Sequence, residues 1–171
     1  MRFLLTCTGI LAAASTLTAQ NPMISENKLL YTNIKNNILA SAENMPDDGY
    51  SFQATKEERT WAALMGHIAD AQTGLCSTAA GEAKRGSAGK LTDKAALVSA
   101  LKDSFAVCDA AWDGTNDENA HTMLKFPFGN REVTRLGILI YNTNHDNESY
   151  GTMAVYLRLK GVVPPSSAKK K

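Results

Sequence analysis

Apolar residues recur at three- and four-residue spacings in four separate stretches of this chain, a period that is helical rather than alternating. Leu30, Ile34, Ile38 and Ala42 step by four through the segment from Ser25 to Glu43. Trp61, Leu64, Met65, Ile68 and Leu75 mark a second segment, from about Lys56 to Ala79. A third, from about Thr92 to Asp113, carries Leu97, Val98, Leu101, Phe105, Cys108 and Trp112, with Thr92 placed as its N-cap. The fourth runs from about Arg131 to Leu159 through Val133, Leu136, Ile140 and Val155, and Gly161 with Pro164-Pro165 ends it. Between them lie turn signals: Met45-Pro46-Asp47-Asp48-Gly49, the glycine-bearing stretch Gly81 to Lys90, and Gly114 to Gly129. Four amphipathic helices bury their stripes against one another, so the expected fold class is all-α, a four-helix bundle.

The first twenty residues are set apart from that fold. Met1-Arg2 gives a positive start, Phe3 to Leu17 is an apolar run with small residues, and Leu17-Thr18-Ala19-Gln20 resembles a cleavage site. This is the pattern of a secretory signal peptide. The expectation is a mature chain that starts near Gln20 or Asn21, forms a single domain over 21–171, and is periplasmic or secreted. No other segment is apolar enough to span a bilayer, so no stable membrane insertion is expected after cleavage. A net charge of +1, with basic residues scattered apart from Lys169-Lys170-Lys171, leaves no footprint of a nucleic-acid binder.

Chemistry-bearing residues are few. His67 shares a face of the second helix with Ala63, Ala71 and Gly74, a strip small enough to let neighbouring backbones close in or to leave a hollow facing a ligand. On the fourth helix Tyr141, His145, Glu148, Ser149 and Thr152 share a face. From the residues alone, His67 and His145 fit either satisfied boundary side chains or groups facing a ligand. Asn142, Asn144, Asp146 and Asn147 read as a solvated face, and His121 as an exposed loop histidine. Arg131, Glu132 and Arg135 read as paired charges opening the fourth helix, and Tyr50, Phe52, Trp61, Phe126 and Phe128 as core and loop anchors. No nucleophile elbow, phosphate loop or calcium loop is present.

The segments YSFQAT and GHIADAQ, and later NTNHDNESYG followed by YLRLKGVVPPSS, resemble the DinB-like superfamily of four-helix bundles, over nearly the whole chain from about Asn27 to Ser167. The resemblance implies an up-down-down-up helix order. It also implies a divalent metal, Zn²⁺ or Ni²⁺, held by one histidine of helix two and two histidines four apart on the last helix. By that correspondence His67 and His145 are the first two ligands. The third position falls on Ser149, a poorer donor than imidazole, with the adjacent Glu148 as a possible assistant. The implied activity is that of a metal-dependent small-molecule hydrolase or transferase of unknown substrate with a degenerate site. The alternative is a non-catalytic periplasmic binding or stress-associated bundle that has lost its metal, with a homodimer as its expected assembly.

Removal of the signal peptide leaves two cysteines, Cys76 and Cys108, in a chain bound for an oxidising compartment. If helices two and three form a simple antiparallel hairpin, the two lie about 18 Å apart along the axis, out of disulfide reach. If instead the connection crosses back so that the helices run parallel, the cysteines come level within ~6 Å, and eleven extended residues span the ~36 Å required. The pattern alone leaves both arrangements open.

Overall fold

A computed structural model describes residues 21–169. The expected signal peptide at 1–20 lies outside the described residues. Four helices dominate: α1 (Pro22–Asn44), α2 (Trp61–Ala79), α3 (Lys94–Asp113) and α4 (Arg135–Leu159). Most of each stripe read from the sequence is buried, but Leu30 and Val155 face outward while Ile24, Tyr31 and Tyr156 are buried, and the helix starts are set by side-chain caps that the apolar period does not locate.

Asn21 accepts a hydrogen bond from the Met23 amide with Pro22 in the first turn, so α1 begins before Ser25. Thr60 caps Ala63, so α2 begins at Trp61 and not at Lys56, and the preceding segment folds as a 3₁₀ turn (Asp47–Ser51) and loop. For α3 the cap is Asp93, whose carboxylate accepts from the Ala96 amide, and not Thr92. For α4 the cap is Thr134. Arg131 and Glu132 therefore do not open a helix. Glu132–Thr134 is instead a short strand, β2, paired antiparallel with β1 (Met123–Lys125) in the register Met123↔Thr134, Leu124↔Val133, Lys125↔Glu132. This ribbon escapes an analysis by helical period because three residues a side hold too little alternation to register.

The helix directions follow from which residues meet. Lys28 pairs with Asp113, Lys35 with Asp109 and Glu43 with Lys102, so α1 and α3 are antiparallel. Ser104 of α3 donates to Gln72 of α2, and Cys108 is bonded to Cys76, so α2 and α3 run in the same sense. Tyr156 donates to the Arg59 carbonyl while Gln72 meets Asp146, so α4 runs against α2. The order is up-down-down-up, in a ring in which α2 lies beside α3 and α4, and α1 beside α4 and α3.

The parallel α2–α3 neighbours need a crossover, and the connection provides it by retracing the length of α2. Ser77 accepts from the Lys84 amide, and further back the Asp70 carboxylate accepts from the amides of Ala88 and Gly89. Further still, a Cβ at Gly66 would stand 2.7 Å from the Ala88 carbonyl oxygen, so only glycine admits the strap there. The crossing brings the cysteines level, and the disulfide Cys76–Cys108 is formed with its Cα atoms 4.8 Å apart. Around it the core is closed by Trp61, Trp112, Tyr31, Phe105 and Tyr156, with the phenols of Tyr31 and Tyr156 donating to Asp109 and the Arg59 carbonyl. No described helix is long and apolar enough to cross a membrane.

Candidate functional site

Because α2 and α4 run antiparallel, His67 and His145 arrive at the same height, and their Nε2 atoms lie 3.0 Å apart with the rings edge to face. Both rings are partly buried. Burial, the nearby Arg59 charge and His145 itself hold the His67 pKa below its ordinary value, so the ring is neutral near pH 7. A 3.0 Å contact between two ring nitrogens needs a proton between them.

Nδ1 of His145 is buried without a hydrogen-bond partner, and its nearest counter-group is the Asp146 carboxylate at 3.9 Å. A proton on Nδ1 would face that carboxylate, and would leave Nε2 of His145 as the acceptor and the Nε2–H of His67 as the donor.

Asp146 is fully buried, which overturns its reading as part of a solvated face. Gln72 and Asn142 donate to its two oxygens at 3.2 and 3.0 Å, and Ser104 in turn donates to the Gln72 carbonyl at 2.9 Å. Three helices thus supply a polar cluster behind the histidine pair. Burial pushes the Asp146 carboxyl above its ordinary range, and the His145 ring and the two amides offset part of that push.

The histidine pair separates two cavities. On one side is a recess of about 160 Å³ lined by Glu58, Arg59, Glu148, Ser149, Thr152 and Tyr156. Ser149 is buried and Glu148 exposed, and both reach this recess. On the other side is a cleft of about 810 Å³, floored by Ala71, Gly74 and Thr78 and walled by Phe126, Phe128 and Tyr141. The small strip beside His67 therefore leaves a hollow. His121 is exposed and lines neither cavity. Arg131 stacks on the Phe126 ring at 4.6 Å and so supports the wall.

The expected metal was tested against this donor set. Two nitrogens bound to one tetrahedral ion at ~2.0–2.1 Å stand ~3.3–3.4 Å apart, so the pair needs to open by only a few tenths of an ångström. A His67 ring held neutral by burial, and a carboxylate 3.9 Å from Nδ1 of His145, suit the same role. These two side chains fit a pair of ligands. No group of three or more His, Cys, Asp or Glu side chains among the described residues is arranged to hold an ion, so the remaining positions fall to water and to the weak oxygen donor Ser149.

Comparison with known proteins gives the same outline. A family model described as the DinB superfamily matches residues 30–153. The fold is similar to that of a DinB-like protein from Bacillus cereus, with a TM-score of 0.69 at 19% identity over 83% of this chain and 95% of that one. It is also similar to a DinB-like protein, YjoA, from Bacillus subtilis, with a TM-score of 0.66 at 19% identity over 88% of this chain and 100% of that one. No curated protein matches the sequence.

Proposed function

This chain belongs to the DinB superfamily, and from that premise we propose that it is an exported, metal-assisted small-molecule hydrolase or transferase that works at the His67–His145 pair. The observation that carries this reading is the 3.0 Å approach of two Nε2 atoms at the inner end of a cleft of about 810 Å³, within the usual ~300–1,000 Å³ of ligand sites. A divalent cation, when bound, supplies Lewis acidity that polarises a carbonyl or activates a water or thiol.

The chain's own residues do the rest. His145 would present its Nε2 lone pair to the cation with Asp146 beside its Nδ1, and His67 would do the same once its proton is carried on Nδ1 instead of Nε2. Gln72, Asn142 and Ser104 fix Asp146 in turn. Phe126, Phe128 and Tyr141 shield one side of the reacting group from water. Export is supported by a disulfide in the folded domain, a bond that persists in oxidising compartments, and by an N-cap at Asn21 just past the expected cleavage point.

A second reading is favoured by a separate observation. The Nε2 atoms already satisfy each other, and Ser149 stands where a third imidazole is expected. On that reading the protein is a non-catalytic periplasmic binder or stress-associated bundle.

Metal analysis of untagged mature protein purified without chelator separates the two. About one ion per chain, lost in His67→Ala, is the result expected for the enzyme. A metal-free native protein whose Ser149→His variant binds zinc tightly transfers the conclusion to the non-catalytic reading.

A further inference from the structure

The wall of the larger cleft holds two aromatic rings that the core does not need. Phe126 is buried, with one face under Arg131 and with Tyr141 and Phe128 against it edge to face at 4.9 and 6.1 Å. Phe128 is 56% exposed and Tyr141 42% exposed. The Phe128 ring lies over α2 at Gly74, where an added Cβ would come within 3.2 Å of it. Two half-free rings over a small-residue floor make a slot for a flat apolar body.

The rim of that slot is cationic. Its lining includes one acidic side chain, Asp70, and both oxygens of that carboxylate are taken by the amides of Ala88 and Gly89. Lys84 is paired with Glu82. Arg85 makes no ion pair among the described residues, nor does Lys125, although Glu132 stands opposite it across the ribbon.

The backbone around Arg85 is held firmly. The Lys84 amide is anchored on Ser77 and the Ala88 amide on Asp70, and Ala83 holds a left-handed φ of 52° that a non-glycine residue seldom adopts. The strap thus sets the Arg85 side chain at the cleft rim, where its guanidinium fork suits a carboxylate.

We infer that the cleft takes a small carboxylate with a flat apolar body, the acid group at Arg85 and Lys125, the body between Phe128 and Tyr141, and the other end at the His67–His145 pair. The inference rests on reading the cleft as the protein's small-molecule site, but it does not require a metal.

The probes are 2-naphthoate and its neutral counterpart 2-naphthamide, titrated calorimetrically into chelator-treated full-length mature protein. Naphthoate is expected to bind about tenfold tighter than the amide, a difference of one decade in Kd. Arg85→Ala with Lys125→Ala is expected to abolish that preference, and Phe128→Ala to weaken both probes. All three positions are exposed, so unchanged thermal unfolding is expected to accompany these losses. Equal binding of the two probes, no binding of either, or a preference that survives the double substitution overturns the inference.

Zinc titrations on the same samples keep the two conclusions apart. Naphthoate preference without zinc binding supports the carboxylate site and sinks only the metal reading. Zinc binding without naphthoate preference does the reverse.

Discussion

Asp146 shows how one residue can be misread from its neighbours and still organise a site. In the run NHDN it looks solvated; in the fold it is buried, with Gln72 and Asn142 donating to it. An amide in its place keeps one acceptor and turns a donor toward another donor. Asp146→Asn is therefore expected to lower stability by about 1–3 kcal/mol in urea unfolding.

His67 makes the second prediction, and its sign follows from its depressed pKa. Below about 6.5 the unfolded chain takes up a proton that the folded ring resists, so protons favour unfolding. Stability of chelator-treated protein is expected to fall as pH drops from 6.5 through the lower folded-state value, and to be level with respect to this group above 6.5. The raised Asp146 works in the opposite sense, adding stability on the acid side that is lost as pH rises through its folded-state value. His67→Gln removes only the first slope, and a profile unchanged by that substitution contradicts the assignment. His67 and His145 were legible in the sequence because helical spacing and family resemblance both single them out. Their support was not, because Gln72 and Ser104 approach from other helices and no local period carries that contact.

Among the elements, the α2–α3 connection decides the architecture. Four apolar stripes announce four helices, yet the stripes are silent about whether neighbours run parallel. Caps at Thr60, Asp93 and Thr134 moved three helix starts inward by two to five residues, as single side-chain hydrogen bonds outside the stripe do. The cysteines posed the choice between hairpin and crossover, and the strap along Ser77, Asp70 and Gly66 answers it. Closing a loop across a sequence separation of 32 restricts the unfolded chain by about 3–4 kcal/mol in the chain-entropy account. Replacing both cysteines with alanine is expected to cost about that much unfolding free energy, read as a lowered urea midpoint, whereas an unaltered midpoint in the double variant contradicts a formed bond.

For the molecule as a whole, four helical periods were enough to place it among all-α four-helix domains. The cleft was not legible, because its walls come from the ribbon loop, the strap and two helices that meet only in three dimensions. Intact-mass measurement of the exported protein is expected to show a chain starting at Gln20 or Asn21, and an unprocessed Met1 start sinks the export proposal. The parallel setting of α2 and α3 has one more outcome, which concerns how the chain matures. A chain that collapses first into the simpler hairpin keeps its two thiols about 18 Å apart along the axis, and such a product stays reduced. The Cys76–Cys108 bond is thereby a covalent mark of the crossed strap, since it is within reach only when α2 and α3 run in the same sense.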